Sequence, residues 1–283
     1  MVTYSSRFAR RCRQLQRLLA GTARAARVRR PALLGAFWWD GHRNFGDMLT
    51  PWLLPHYGYV PVLRPPERAN LVGVGSILEM VPESYAGSVW GSGLMIEERR
   101  AFPSARFLAL RGRLTAQLLG AGPAVPLGDP GLLVSRHVAP AGHHGKVVVL
   151  PHGHHIHDPH FARLLAQTPE LTRLVRYDRH PEEVARDISG AALVVTSSLH
   201  GLVLADSYGI PAVWVTSDLP LGGGDFKFRD HESAVRPLAP RHLRLTSGTA
   251  LAELRAAAST VPRDRVAELG DGLEAGLRGI STT

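Results

Sequence analysis

The sequence lacks the features of several large classes of protein. Cys12 is the single cysteine among 283 residues, so no internal disulfide can form, and its position in an arginine-rich segment argues against a catalytic thiol. No apolar run approaches the roughly 20 residues that a membrane-spanning helix needs. The first residues also lack the apolar stretch of a secretory signal. These absences favour a globular protein of the cytoplasm without redox chemistry.

Acidic residues are absent from the first 30 positions, which carry nine of the 33 basic residues, all of them arginines. The remainder of the chain has 24 basic and 24 acidic residues, so the net charge of +9 belongs to this extension. Phe8, Leu15, Leu18 and Leu19 stand among the arginines at roughly helical spacing. This pattern suits an anionic membrane surface or an acidic partner. A solvated extension is the alternative, and binding to nucleic acid is not expected.

Short apolar runs alternate with helical patterns from residue 31 onward, as in βαβ units stacked around a parallel sheet. A polar stretch rich in Gly, Pro and His at 135–145 separates two such halves and is the predicted linker. The predicted class is therefore α/β, with one parallel sheet in each half. The predicted units are a basic extension at 1–30, an N-terminal domain at 31–135, a C-terminal domain at 146–245 and C-terminal helices at 246–283.

The segment TSSLHG at 196–201 is the strongest candidate site. It joins the carboxyl end of a predicted strand to the start of a helix, where backbone amides and the helix dipole favour an anion such as phosphate or carboxylate. Ser197 and Ser198 can contact that anion, although Ser198 can instead cap the helix. His200 lies in the first helical turn and is a candidate proton donor or anion contact. A serine–histidine nucleophile pair is the rival chemistry, but no G-x-S-x-G elbow accompanies it.

Arg111 is the second candidate, because it follows a predicted strand and arginine suits bidentate capture of phosphate or carboxylate. Lys227, one of only two lysines, lies in the glycine-rich segment 217–231, which we expect to be irregular and to cover a site. For the remaining candidates, capping or turn formation is the alternative to ligand contact. These candidates for substrate binding are Asn44, Asp47, Gly91, Ser92, Gly93 and Asp129.

A run of histidines follows the strand that opens the second half. A zinc site there would need preformed ligand geometry, and neither cysteine ligands nor an H-E-x-x-H pattern is present. We therefore expect no metal. The histidine nearest the strand end, His152, is the one expected to face the cleft. The run comprises His152, His154, His155, His157 and His160.

Taken in order, these motifs resemble the polysaccharide pyruvyl transferase family, especially its short bacterial members in exopolysaccharide synthesis. The block from SLHG to GIPAVWV is the most specific, and the ordered occurrence of the weaker motifs strengthens the match. The matching segments are NFGD at 44–47, GSG at 91–93, LRGRLT at 110–115, GDPGLL at 128–133, LPHG at 150–153, SSLHGLVLADSYGIPAVWV at 197–215 and KFRD at 227–230.

The resemblance implies two Rossmann-like domains that face a cleft, similar to GT-B glycosyltransferases. It also implies transfer of the pyruvyl group of phosphoenolpyruvate to two hydroxyls of a saccharide or lipid-linked glycan, giving a cyclic ketal and phosphate with no further cofactor. His200 matches the family's active-site histidine, Leu199 its neighbour, and Arg111 the start of its R-x-x-x-S/T pattern. We expect His200 to titrate near neutrality and act as an acid. The arginine-rich extension would hold the protein peripherally at the inner membrane.

One position departs from the family pattern. Some eukaryotic relatives have arginine immediately before the leucine–histidine pair, where this chain has Ser198. The contact to a substrate anion would then come from Lys227, Arg229 or Arg113. Two alternatives stay open: a glycosyltransferase of the same architecture that uses a nucleotide sugar, and a non-catalytic glycan-binding protein.

Overall fold

A computed structural model describes residues 7–28 and 30–280, with the side chains of residues 7–13 left out. The described residues form two five-stranded sheets in which all strand pairs are parallel. The strands are β1 Ala32–Phe37, β2 Tyr59–Leu63, β3 Leu71–Val72, β4 Ser88–Trp90, β5 Arg106–Ala109, β6 Val147–Leu150, β7 Thr172–Leu174, β8 Leu193–Thr196, β9 Ala212–Thr216 and β10 His242–Arg244. The predicted α/β class with two parallel sheets is confirmed.

Helices connect the strands and cover the sheets, as parallel sheets require. The α-helices are α1 Arg7–Ala25, α2 Leu49–Leu53, α3 Arg113–Leu118, α4 Pro159–Gln167, α5 Pro181–Ser189, α6 Leu199–Tyr208, α7 Phe226–Val235, α8 Leu251–Ala257 and α9 Arg263–Leu277. Shorter 3-10 helices occupy Leu54–Tyr57, Pro66–Arg68, Leu78–Met80, Pro130–Arg136 and Gly153–His155. None of the helices in the described ranges is long and apolar enough to cross a membrane.

The order of strands is β2-β1-β3-β4-β5 in the first sheet and β10-β9-β8-β6-β7 in the second. The central strands β6 and β8 are buried on both faces, which explains their continuous runs of valine and leucine. Because the strands are parallel, their carboxyl ends all lie at the same end of each sheet. The loops that follow those ends carry the motifs of interest.

The two halves share one hydrophobic core. The 3-10 helix Pro130–Arg136 packs against α6, where the hydroxyl of Ser207 donates to the carbonyl of Leu132 at 2.9 Å. The close approach depends on Gly131, because a Cβ there would lie 2.8 Å from Val203 Cγ1. These contacts hold the 3-10 helix along the middle and end of α6, so residues from both halves meet at one place.

The basic extension forms helix α1, which packs against β2 and the adjoining 3-10 helix. Gly21 and Ala25 are buried in that contact, so the alternative of a solvated extension is wrong for the described part of it. Leu15 and Leu19 are 58% and 64% exposed. Residues 1–6 and 29, and the side chains of Phe8 and Cys12, lie outside the described part.

The segment 217–231 is only partly irregular, contrary to the prediction, because α7 begins at Phe226. Its glycines end at Gly224, and the aromatic residues that follow are buried. Phe228 stacks on Trp214 of β9 with ring centroids 4.7 Å apart. Burial of these rings stabilises a helix that the neighbouring glycines disfavour.

The C-terminal helices pack against different sheets. Helix α8 contacts β9 and β10, whereas α9 returns to the first sheet. There the indole of Trp90 donates to the carbonyl of Leu273 at 2.9 Å, and the hydroxyl of Tyr59 donates to that of Leu277 at 3.0 Å. The two helices therefore do not form a separate unit, and the domain boundaries drawn from the sequence stay predictions.

Candidate active site

The imidazole of His200 lies at the junction of the two halves. It is in the first turn of α6 and is 7% exposed. Its ring packs on Gly46, where a Cβ would overlap Nδ1, and meets Phe45 edge-on with centroids 6.3 Å apart. Gly46 of the NFGD segment is therefore needed, since any side chain at this position would occupy the space of the histidine ring.

Asp129 faces His200 from the start of the 3-10 helix Pro130–Arg136. Its Oδ1 accepts the amide of Gly131 at 2.8 Å, and its Oδ2 lies 3.6 Å from His200 Nε2. Within the described part of the chain, neither of these two facing atoms has a hydrogen-bond partner. Burial lowers the pKa of His200 to about 4, against the opposing charge of Asp129. His200 is thus neutral near pH 7, which differs from the expected titration near neutrality.

Lys227 brings a buried cation without an ion pair to the same place. It lies in the first turn of α7, is 7% exposed, and makes no hydrogen bond or ion pair with any described residue. Burial lowers its pKa to about 8, and the charge of Arg111 adds to this effect while that of Asp47 opposes it. Lys227 also lowers the pKa of His200. A buried lysine without a counter-ion is costly and marks a site for an anion.

Asp47 is a second group that titrates near neutrality. Burial raises its pKa to about 7, while the charge of Lys227 and a hydrogen bond with Asn44 oppose the rise. The Asn44 Oδ1 also accepts the amide of Gly46 at 3.0 Å, which fixes the turn between them. A carboxyl group with this pKa can give and take a proton at physiological pH.

Arg111 is fully buried, and each of its three guanidinium nitrogens already donates. Nε binds Asp230 at 2.9 Å, Nη1 binds the hydroxyl of Ser76, and Nη2 binds the carbonyl of Leu94 at 2.6 Å. Gly93 leaves the space that the guanidinium fills. Its contact with substrate stays a prediction, and the contacts present stabilise the junction between β5 and α7.

Asp230 joins the LRGRLT and KFRD segments. Besides Arg111, it accepts both the amide and the hydroxyl of Thr115, at 2.8 and 2.7 Å. Gly112 allows the approach, since a Cβ there would overlap the carbonyl oxygen of Asp230. These contacts hold the helix that carries Lys227, so Asp230 and the arginine act as positioning residues for the lysine.

Replacing Asp230 by alanine is expected to lower the free energy of unfolding by about 3 kcal/mol or more. The change leaves the charge of Arg111 buried without its carboxylate, and breaking such a pair costs roughly 3–5 kcal/mol. Urea unfolding followed by circular dichroism measures it. Asp225→Ala is the control, because its pair with Arg229 is exposed and should contribute less than about 0.5 kcal/mol. Equal losses in the two variants would contradict the assignment.

The GSG segment follows the carboxyl end of β4 and contacts other residues of the site. Gly91 has a φ of 72° and adjoins Pro130. The hydroxyl of Ser92 donates to the carbonyl of Gly73 and is fully buried. Gly93 adjoins Arg111 as described. These contacts position other site residues, while direct binding of substrate by the three stays a prediction.

The two serines before α6 have different surroundings. The hydroxyl of Ser197 is fully buried and lies 2.8 Å from His155 Nδ1, whose Nε2 contacts the carbonyl of Leu219 at 2.7 Å. Ser198 is the N-cap residue of α6, but its side chain makes no capping bond within the described chain. Leu199 is buried. The hydroxyl of Ser198 and the first amides of α6 are therefore available to a ligand.

Two members of the histidine run have different surroundings. His152 has its pKa lowered to about 3 by burial, with Lys227 and His42 among the charges that add to the effect. The charge of Lys227 therefore acts on His152, while contact of this histidine with substrate stays a prediction. His155 instead ties the loop at Leu219 to the turn after β8. No group of three or more potential metal ligands occurs within residues 7–28 and 30–280 as described.

Three basic residues are candidates for the anion contact that an arginine at the Ser198 position would make, and their surroundings differ. Arg113 binds the carbonyl of Ser233, and Arg229 pairs with Glu97 and Asp225 at the surface. Lys227 alone of the three is buried and without an ion pair in the described structure. Sequence reasoning missed Asp230, although the ordered occurrence of KFRD after LRGRLT was a signal for it.

Comparison with known proteins agrees with this arrangement of motifs. The family model for polysaccharide pyruvyl transferase matches residues 35–218. The succinoglycan biosynthesis protein ExoV of Rhizobium meliloti (strain 1021) is 29% identical over 207 residues, which cover 69% of this chain and 62% of that relative. The chain therefore matches less than two thirds of the length of this curated relative.

Proposed function

Because the chain belongs to the polysaccharide pyruvyl transferase family, we propose that it transfers the pyruvyl group of phosphoenolpyruvate to two hydroxyls of a saccharide. The product is a cyclic ketal in a cell-surface polysaccharide or a lipid-linked precursor. The observation that carries the proposal is Lys227, a buried cation without an ion pair in the described structure. Its charge acts on His200 and Asp47. This arrangement suits a small, highly charged donor.

Phosphoenolpyruvate carries a phosphate and a carboxylate, and the site offers hydrogen-bond donors for both. Lys227 supplies a charge-assisted hydrogen bond, which is about twice as strong as a neutral one. The hydroxyl of Ser198 and the first amides of α6 add hydrogen-bond donors at the positive end of the helix dipole. A bound anion also raises the pKa of Asp47 further, which keeps that carboxyl group protonated for the first step.

The proposed reaction uses Asp47 and His200 in turn and returns both to their starting states. Protonated Asp47 gives its proton to the methylene carbon, and the adjacent carbon becomes a cation stabilised by its ester oxygen. One sugar hydroxyl attacks this carbon and loses its proton to neutral His200, whose charged form the carboxylate of Asp129 stabilises. The carbon–oxygen bond to phosphate then breaks, and His200 protonates the leaving phosphate. The second hydroxyl attacks the same carbon and returns a proton to Asp47.

The proposal is tested by incubating the purified protein with phosphoenolpyruvate and a panel of oligosaccharides and lipid-linked glycans. We expect phosphate release in step with the formation of an acceptor heavier by one ketal-linked pyruvate. In deuterium oxide the methyl group of the ketal should carry one deuterium. Transfer from a nucleotide sugar, with no product from phosphoenolpyruvate, would overturn the proposal in favour of a glycosyltransferase.

The value of kcat/KM for phosphoenolpyruvate should fall as the pH rises through about 7, because Asp47 loses the proton that it must donate. Loss of the proton of Lys227 near pH 8 should steepen the fall. At the acid end, activity should fall near pH 4 as His200 becomes protonated. Profiles of kcat/KM against pH for the wild type and for Asp47→Asn measure the acidic and alkaline limbs of the curve. An unchanged limb near pH 7 in the variant would contradict the role of Asp47.

We also propose that α1 contacts an anionic membrane surface, where lipid-linked glycans would be met. Leu15 and Leu19 are one helical turn apart and exposed, and the segment is rich in arginine. The variant Leu15→Gln/Leu19→Gln should bind vesicles of anionic phospholipid about tenfold more weakly than the wild type, as measured by cosedimentation. Leu238→Gln, 71% exposed on another surface, is the control. Equal binding by all three proteins would refute the proposal.

A further inference from the structure

A cavity of about 460 Å³ borders the turn that carries Asn44 and Asp47. Its walls are α1, α2 and the loop 178–181 of the second half, and it is named here the α1 groove. The turn and the loop are joined, since the amide of Phe45 donates to the carbonyl of Tyr177 at 2.8 Å. The same turn contacts His200 through Gly46. The groove therefore adjoins the candidate active site. The charged and aromatic side chains of its lining include Arg17, Arg24, Arg43, Trp52, Asp178 and Arg179.

Four arginines line the groove, and two of them already have carboxylate partners. Arg17 pairs with Asp40 at 2.9 Å, and Arg179 pairs with Glu183 and Asp187. The acid of the lining, Asp178, is bound by Arg176 through two hydrogen bonds of 3.0 and 2.9 Å. The carboxylates near the groove are thus already engaged.

Arg24 and Arg43 have no ion pair within 4 Å in the described part of the chain, although the charge of Arg43 helps to lower the pKa of Asp178. The guanidinium of Arg24 lies 5.8 Å from the centroid of the Trp52 ring, which places a cation beside an apolar wall. Its charge adds to the effect of burial in lowering the pKa of His56, His137 and His180. The groove consequently has an excess of positive charge.

We propose that the α1 groove binds the acceptor of the reaction and selects a saccharide that carries a carboxyl or phosphoryl group. The inference rests on the proposed function, since it names the acceptor class for the same site. Arginine presents paired donors that match the geometry of both anions. The turn 44–48 lines the groove through Asn44 and contacts His200 through Gly46, so an acceptor bound in the groove would lie beside the site.

The test measures saccharide binding without donor by isothermal titration calorimetry. The probes are a neutral oligosaccharide, an oligosaccharide of the same size that contains a hexuronate, and a sugar 1-phosphate. In Arg24→Gln/Arg43→Gln we expect the Kd of the preferred anionic probe to rise about 100-fold, roughly tenfold for each lost charge-assisted bond. The Kd of the neutral probe and the KM for phosphoenolpyruvate should stay within about twofold.

The matched control is Arg27→Gln/Arg30→Gln, which removes two exposed arginines outside the groove. It should bind all probes as the wild type does, and Arg24→Lys/Arg43→Lys should recover part of the lost affinity. Thermal unfolding of each variant checks that the fold is intact. The anionic probe that binds more tightly identifies carboxyl or phosphoryl as the preferred group.

The outcomes separate the two proposals. Arginine-dependent binding of an anionic saccharide without transfer from phosphoenolpyruvate would support the groove and refute the proposed function. Transfer to neutral acceptors, with anionic probes bound no more tightly and no effect of the arginines, would refute the groove alone. A raised KM for phosphoenolpyruvate in Arg24→Gln/Arg43→Gln, with acceptor binding unchanged, would assign the groove to the donor and also overturn the inference.

Discussion

Lys227→Met is expected to lower kcat/KM for phosphoenolpyruvate by about 1000-fold while making the folded protein more stable. Methionine keeps the length of the side chain and removes the cation that would bind the donor. A hydrogen bond to a charged group contributes about 1.5–3 kcal/mol, and exclusion of water from the site strengthens it. Activity and stability should therefore change in opposite directions.

The gain in stability follows from the pKa of the lysine. The folded chain lowers that pKa from 10.5 to about 8, so the unfolded chain binds the proton more tightly. Below pH 8 this difference destabilises the folded state by on the order of 3 kcal/mol. The wild type should regain this stability as the pH rises from about 8 to 10.5, whereas the variant should have it throughout.

Thermal and urea unfolding at pH 7 and 10, together with steady-state kinetics, measure both effects. The matched control is Arg229→Met on the same helix, whose side chain is exposed and paired with Glu97 and Asp225. It should change stability by less than about 0.5 kcal/mol and leave activity unaltered. A Lys227→Met protein that is less stable, or that keeps its affinity for the donor, would show that the lysine has a structural role.

Much of the fold follows from local patterns. The strand and helix on either side of the TSSLHG turn agree with the sequence, because apolar runs are local signals. Strand β2 contains Pro61, a residue that disfavours the interior of a sheet. The structure tolerates this proline because β2 is at the edge of its sheet.

The start of α7 could not be predicted from its neighbours in sequence. Glycines at 222–224 argue against a helix, and the burial of Phe226 and Phe228 that stabilises it depends on distant strands. The position of Lys227 in the first turn of a buried helix is therefore a tertiary effect. Sequence reasoning named the lysine as a candidate but placed it in an irregular loop.

The site shows the same division between local and distant contributions. The turn before His200 was recognised because strand, serines and helix are consecutive. The contact of Arg111 with Asp230 joins residues 119 positions apart, and no local pattern reveals it. The lowered pKa of His200 likewise depends on burial by both halves. The sequence alone does not show this burial, so it indicated titration near neutrality instead.

His200→Gln is expected to lower kcat by about 1000-fold, which is within the range for loss of a positioned acid or base. Glutamine keeps a polar side chain but cannot carry the proton from the sugar hydroxyl to the leaving phosphate. Binding of phosphoenolpyruvate should change by only a few-fold, because Lys227 and the start of α6 remain. Single-turnover kinetics and donor titration separate the two effects, with the exposed His157→Gln as the control.

Asp129→Asn tests whether the carboxylate acts through His200. Asparagine can still accept the amide of Gly131, but it removes the charge 3.6 Å from His200 Nε2, so the pKa of the histidine should fall further and kcat should drop about tenfold to 100-fold. If Asp129 acts only through His200, the variant Asp129→Asn/His200→Gln should be no slower than His200→Gln alone. The effects of substitutions at residues that act as a unit are not additive. Additive losses would instead place Asp129 in direct contact with substrate.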